Sequence, residues 1–387
     1  MRPFFAKLPN EKARIAIVRL CDATALLCAV PALRAIRAAA PNAHVTLVGL
    51  DSAAEMAARF SAYIDEFLSP QLCERTAAPF DLVIELQEPD AQLLAVSARL
   101  VGTGGVGGTR LVAGFCKGSP NGSTNSAAFR AEWPEQGPEV LRLLTLVRAL
   151  GIRDCGDTLE FPFEATDRTE MESCREALAL LGGPFVCIQP GGRWPERRWQ
   201  AARFARVADA LASHGLRVAL TGTDADRPVT AAVAARMRAR PIDLAGRLTN
   251  GAFAVLLDYA YLLVSNDTGV TRLAEAIGTP SVTIASGSDV PLWRPSDRVR
   301  YRVLWLPGTE RPSIERLYSS WPDHASGISV ESVLDACDVL LAEPALKQRA
   351  AVRAHLARLR HEARLSRSVA TAPTSRRRAA PMVRRAS

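Results

Sequence analysis

No apolar run in this chain approaches the roughly 18 to 20 residues that an α-helix needs to cross a bilayer. The longest, around Thr24 to Leu33, is interrupted by Pro31, so the sequence offers no membrane span. The opening MRPFFAKLPNEKAR lacks the apolar core of a secretory signal, and the expectation is a cytoplasmic protein. Eight cysteines, at 21, 28, 73, 116, 155, 174, 187 and 337, include no CxxC pair and no Cys/His cluster with zinc-ligand spacing. Reduced, mostly buried thiols are expected, and no metal site.

The composition, 48% hydrophobic and 23% charged, describes a soluble globular protein, and 387 residues suffice for two domains. A formal charge of +8 suggests a nucleic-acid partner until it is located along the chain. From Leu346 to Ser387 there are twelve Lys or Arg against one acid, Glu362; the other 345 residues carry 36 basic and 39 acidic groups. The body is therefore slightly acidic and the basicity belongs to a tail, which argues against nucleic acid.

Short apolar runs alternate with helical periodicity, the pattern of parallel sheets with crossover helices. Strands are predicted at Arg14–Leu20, His44–Leu50, Leu82–Leu86 and Arg110–Phe115, then at Phe185–Gln189, Arg217–Gly222, Ile242–Leu244, Leu262–Ser265 and Ser281–Ala285. Helices are predicted at Ala25–Ala40, Ser52–Tyr63, Ala91–Leu100, Glu139–Leu150, Gln200–His214, Arg227–Arg238, Gly251–Tyr261 and Gly269–Ile277. The fold class is α/β, two doubly wound domains at 1–150 and 185–345, with a connector over 151–184 and a tail over 346–387. In such sheets ligands bind beyond the carboxyl ends of the strands, so the loops there are where chemistry is sought.

A literal GxGxxG lies within GTGGVGG, Gly102 to Gly108, but it follows a helical pattern and precedes a strand. A dinucleotide site needs the opposite order, so this segment reads as a loop. FVCIQPGGRWPERRW is better placed: a strand ends at Gln189, Gly191 and Gly192 let the backbone approach a ligand, and Arg193, Arg197 and Arg198 follow. Exposed amides, a helix N-terminus and fixed cations suit a diphosphate, although an ordinary turn with surface arginines has the same letters. In LLVSNDTGVTRLAEAIG a buried strand runs into Asp267, Thr268 and Gly269, with Arg272 one turn into the next helix. Asp226, after the strand ending in LTGTDAD, could hold ribose hydroxyls; for each of these acids, capping the next helix is the competing role.

Taken together, QPGGRWPERRW, LTGTDAD, LAGRLTNGAFAVLL, VSNDTGVTRLAEAIGTPSV and the following SGSD resemble glycosyltransferase family 9, the ADP-heptose:lipopolysaccharide heptosyltransferases. The N-terminal ARIAIVRLCDATALLCAVPALRAIRAAAP is similar to that family's first strand and helix, and the resemblance covers roughly residues 13 to 340. It implies a GT-B fold of two facing Rossmann-like domains, with the acceptor on the N-terminal domain and the nucleotide-sugar donor on the C-terminal one. It also implies inverting transfer without a metal or a cofactor beyond the donor substrate, expected to be ADP-heptose. By position, Gly191 and Gly192 match the phosphate loop, Arg197 the usual Lys, Asp226 the ribose acid, and Asp267, Thr268 and Gly269 the donor-binding DTG.

Two positions depart from the family. Thr24 and Ala25 stand where it usually has Gly-Asp, the Asp being the proposed base, and Arg272 stands where it usually has His. Inverting transfer needs a base for the acceptor hydroxyl and cations for the leaving diphosphate. Arg272 preserves positive charge; Asp22, three residues before Ala25, is the nearest replacement for the lost carboxylate, with a capping role as its alternative. The expected function is heptose transfer from ADP-heptose to a lipopolysaccharide core or similar lipid-linked glycan, the alternative being a family member that binds a sugar nucleotide or glycan without transfer. Purine stacking is expected near Arg247 and Leu248. In the tail, Val352, Leu356, Leu359 and Ala363 share a helical face among arginines, a pattern that fits either an anionic inner-membrane surface or a solvated helix, and the Arg-rich stretch after Ser366 has no apolar periodicity.

Overall fold

The computed structural model describes residues 12–75, 79–101, 111–118, 128–285, 294–305, 327–344, 348, 351–353 and 355. The GTGGVGG segment, the SGSD motif at Ser286–Asp289, and nearly all of the tail with Leu356, Leu359 and Ala363 lie outside them.

Two six-stranded, all-parallel sheets organise the chain. The first has strands β1 (Arg14–Val18), β2 (His44–Val48), β3 (Glu66–Leu68), β4 (Leu82–Glu85), β5 (Leu111–Cys116) and β6 (Ala128–Glu132), in the order β3-β2-β1-β4-β5-β6. The second has β7 (Phe185–Gln189), β8 (Arg217–Leu220), β9 (Ile242–Asp243), β10 (Leu262–Asn266), β11 (Ser281–Ile284) and β12 (Tyr301–Leu304), in the order β12-β11-β10-β7-β8-β9. Both orders reverse direction beside the sheet's first strand, the switch point at which such sheets open a crevice.

Each central strand is buried on both faces, which is why its sequence reads as a continuous apolar run. Ile15 and Ile17 of β1 enter one core cluster while Ala16 and Val18 enter another, and Phe185 and Cys187 of β7 are separated from Val186 and Ile188 in the same way. The largest cluster joins the two halves: it runs from Ile15 and Ile17 through Leu180 and Leu181 to Phe185 and Leu263.

The helices are α1 (Val30–Ala39), α2 (Ala54–Ala58), α3 (Ala91–Val101), α4 (Glu139–Ala149), α5 (Ala165–Ser173), α6 (Arg175–Leu180), α7 (Ala201–Ser213), α8 (Arg227–Ala234), α9 (Asn250–Tyr259), α10 (Gly269–Ile277) and α11 (Val330–Ala342). The single helix predicted over Ala25–Ala40 is instead a 3-10 turn, Ala25–Ala29, that passes into α1, with Pro31 in the first turn of α1. Proline is tolerated there because that backbone nitrogen has no intrahelical acceptor. The segment read as a connector contains α5 and α6, and α5 packs along α9.

Between the halves, Arg59, just past α2, makes a two-point ion pair with Asp167 of α5, at 2.7 and 2.8 Å, and lies 4.9 Å over the Phe161 ring. A Cβ on Gly251 of α9 would overlap Asp167, so the clasp sits directly against the second half. Among the described residues no helix is long and apolar enough to cross a membrane. Of the tail, Arg353 pairs with Asp258 of α9 and Val352 is half exposed.

Candidate active site

The loops after β1, β7, β8 and β10 converge on one cleft between the sheets. Two cavities share it, one of about 280 Å³ and one of about 570 Å³, and Thr24, Gly192, Arg193, Arg198, Thr268 and Gly269 line both. These shared residues form a waist.

The β7 loop is held from behind by buried polar groups. Asn266, at the end of β10 and 2% exposed, donates through Nδ2 to Pro190 O at 2.7 Å and Gly191 O at 3.1 Å, while its Oδ1 accepts from Trp199 N at 2.9 Å. Asp226 holds the same loop from the other side. Its Oδ1 accepts from Gly192 N at 3.2 Å and its Oδ2 from Thr223 N and Thr223 Oγ1 at 2.9 and 2.8 Å. Arg198 adds Nε and Nη2 donors to Gly192 O, at 3.0 and 2.5 Å. Gly192 adopts φ +155°, which side chains rarely accept.

These bonds revise two expected roles. Gly191 is buried and lines neither cavity; it is glycine because a Cβ there would overlap the Asp226 carboxylate. Asp226, expected to hold ribose hydroxyls, borders the larger cavity, but both its oxygens are turned to the chain's own donors, the capping role that competed in the sequence. The remaining expected residues, Asp22, Gly192, Arg197, Asp267, Thr268, Gly269 and Arg272, all line the smaller cavity.

Thr268 and Gly269 sit at the N-terminus of α10, where unpaired amides and the helix dipole favour an anion. The Thr268 Oγ1 hydroxyl is buried with no hydrogen-bond partner among the described residues. Arg272 does not point to solvent: it is 7% exposed, borders the cleft, and pairs with Glu275 at 3.2 Å. Burial pushes the Glu275 carboxyl up, against the opposing pull of Arg272.

From the first sheet, Asp22 reaches the same cavity. Its Oδ1 caps the turn that follows, accepting from Thr24 N, Thr24 Oγ1 and Ala25 N at 3.1, 3.0 and 2.9 Å. The side chain stays exposed, and Oδ2 has no partner among the described residues. Below this loop Arg19 and Glu139 form a buried ion pair, and Cys21 beside them is pushed up to about 11 by burial.

The larger cavity is lined by the apolar Leu244, Leu248, Phe253, Val270 and Leu273, and by the polar Gln189 and Thr221 among others. Leu248 is thus where base stacking was inferred, whereas Arg247 is turned away to Glu176 at 2.6 Å. The sequence reading also missed Thr24, which lines both cavities, and Asn266; a polar residue closing a fully buried strand was the available signal for the latter.

Residues 77–319 match the family described as glycosyltransferase family 9 (heptosyltransferase). Among characterised proteins, the chain is 28% identical over 222 residues to lipopolysaccharide heptosyltransferase 3 of Escherichia coli (strain K12), covering 55% of this chain and 62% of that one. It is 27% identical over 173 residues to lipooligosaccharide heptosyltransferase 2 of Haemophilus influenzae (strain ATCC 51907 / DSM 11121 / KW20 / Rd), covering 43% and 50%. The chain thus spans between half and about three-fifths of the length of these relatives. In fold it is similar to the glycosyl transferase family 9 structure from Veillonella parvula DSM 2008, with TM-score 0.70 and 20% identity over 85% of this chain and 97% of that one. It is also similar to E. coli ADP-heptose lps heptosyltransferase II, with TM-score 0.61 and 17% identity over 85% and 98%. The two facing parallel sheets are a GT-B fold, and the chain belongs to glycosyltransferase family 9, the heptosyltransferase family.

Proposed function

We propose that the chain transfers a heptose, with inversion and without a metal, from ADP-heptose to a lipopolysaccharide core or similar lipid-linked glycan. The observation that carries this reading is the waist, where the glycine loop after β7 and the N-terminus of α10 meet, with Arg197 and Arg272 in the wall of the adjoining smaller cavity. A helix terminus and cations, with a glycine that lets the ligand approach closely, suit a diphosphate whose charge grows as the sugar leaves. The choice of ADP is supported by the apolar wall beside the waist, which suits a purine, and by the fold similarity to E. coli heptosyltransferase WaaC, solved with ADP.

In this reading Gly192, Arg197, Thr268, Gly269 and Arg272 hold the diphosphate, Thr268 Oγ1 turning to a phosphate oxygen. Asp267, exposed on the cleft wall, takes sugar hydroxyls. Asp226 and Gly191 shape the loop from behind. Asp22 Oδ2 takes the acceptor hydroxyl proton as that oxygen bonds to the anomeric carbon; the carbon's bond to the phosphate oxygen breaks and its electron pair leaves with ADP.

One observation favours the alternative of a binding protein without transfer: Ala25 carries no carboxylate and Asp22 already serves as a cap through Oδ1. Release of ADP from ADP-heptose in the presence of a core oligosaccharide decides between them. Release that depends on the oligosaccharide supports transfer; tight ADP-heptose binding with no release supports the alternative. Work at the cytoplasmic face of the inner membrane, with the basic tail on anionic lipid, belongs to the same proposal.

A further inference from the structure

Two tryptophans in the β7 loop have opposite fates. Trp199 is 1% exposed, with Nε1 donating to Ile328 O at 3.0 Å, and is part of the core. Trp194, five residues earlier, is 44% exposed and lines the smaller cavity. It is the only aromatic among the large apolar side chains exposed in the described residues, the others being leucines and valines. The indole therefore offers an aromatic surface inside the cleft.

Its placement is fixed. Trp194 precedes the 3-10 turn Pro195–Arg197, its carbonyl accepts from Arg197 N at 3.1 Å, and Pro195 sets the turn. The Arg193 guanidinium lies 5.3 Å from the ring centroid. Asp22 and Asp267, both exposed carboxylates, line the same cavity. A flat apolar face and carboxylates in one cavity are the chemistry that recognises a pyranose, whose ring C–H groups lie on the aromatic while its hydroxyls donate to the acids.

We infer that Trp194 is the stacking platform for the acceptor sugar, an inference that rests on the proposed transferase reading. The nucleoside is assigned to the other side of the waist, where the wall is aliphatic and Phe253 is present. The sugar on Trp194 is assigned to the acceptor because Trp194 shares its cavity with Asp22, the base of the proposed reading. Trp194 positions substrate and exchanges no proton.

The test uses the full chain, ADP, and a deacylated heptose-containing core oligosaccharide. Oligosaccharide affinity is measured in the presence of ADP by saturation-transfer NMR and calorimetry, and ADP affinity separately. Trp194→Ala is expected to weaken the oligosaccharide about tenfold, Trp194→Phe to restore most of it, and both to leave ADP affinity unchanged. Equal oligosaccharide affinity in Trp194→Ala, or ADP affinity falling in step, overturns the inference. An unmodified chain that binds ADP but not the oligosaccharide also overturns it, while one that binds no ADP overturns the transferase reading beneath it.

Discussion

Thr24 of the first half rests on Gly269 of the second: a Cβ built on Gly269 would overlap Thr24 Oγ1 and lie 2.6 Å from Thr24 Cβ. The loop that carries Asp22 and the helix that opens on the donor side are thus in direct contact. Gly269→Ala should push the two loops apart, cost about 1–3 kcal/mol and weaken ADP binding. Thr24→Gly in the same chain removes all three clashing atoms, Oγ1, Cβ and Cγ2, and should restore most of the loss. A double-mutant cycle on thermal stability and ADP affinity measures this; additive effects would show that the two residues do not meet.

Asn266 supports the glycine loop without lining the larger cavity. Asn266→Ala leaves Trp199 N, Pro190 O and Gly191 O without their partner. Each buried group left unpaired costs about 1–3 kcal/mol, so denaturant unfolding should show a loss of about 2 kcal/mol or more. ADP affinity should fall with it.

The extent to which this was legible in the sequence differs by element. The central strands β1, β4, β7, β8 and β10 announced themselves as apolar runs because both their faces are buried. Three of the four edge strands, β3, β6 and β12, were missed because most of their residues are only half-buried and include polar ones, as in AFRAE and YRVL. Helix α5, ATDRTEMES, was missed because it buries only Asp167 and Met171, so its apolar period is absent. Most site positions were legible from the strand-end loops. The direction of Asp226 was not, since an acid after a strand reads alike whether it faces ligand or caps its own turn.

The Arg59–Asp167 clasp predicts a pH dependence. Burial disfavours the charge on Asp167, but the hydrogen bonds from Arg59 and from Glu164 N outweigh it and hold the carboxyl below its usual range. A lowered carboxyl contributes stability that is present above its unfolded value, about 3.9, and is lost as pH falls through the folded value. The thermal midpoint of the natural chain should therefore drop on acidification below about pH 4 more steeply than that of Asp167→Asn. Asp167→Ala, which leaves the largely buried Arg59 side chain only its longer contacts to Glu55 and Pro162 O, should cost about 3 kcal/mol at neutral pH.

Asp22→Asn keeps an oxygen for the cap and removes the base. With ADP-heptose and core oligosaccharide, kcat should fall about 100-fold or more while ADP affinity holds. Full activity in this variant would remove Asp22 as the base and leave the donor site intact.

The central claim is that the cleft between the β7 loop and α10, with Arg197 in its wall, holds the diphosphate of a nucleotide sugar. Calorimetric titration of ADP-heptose into the natural chain and into Arg197→Ala tests it most directly, with thermal unfolding as the check on folding. The prediction is saturable binding that weakens at least about tenfold in Arg197→Ala at an unchanged melting temperature. Equal affinity in the two proteins would contradict it.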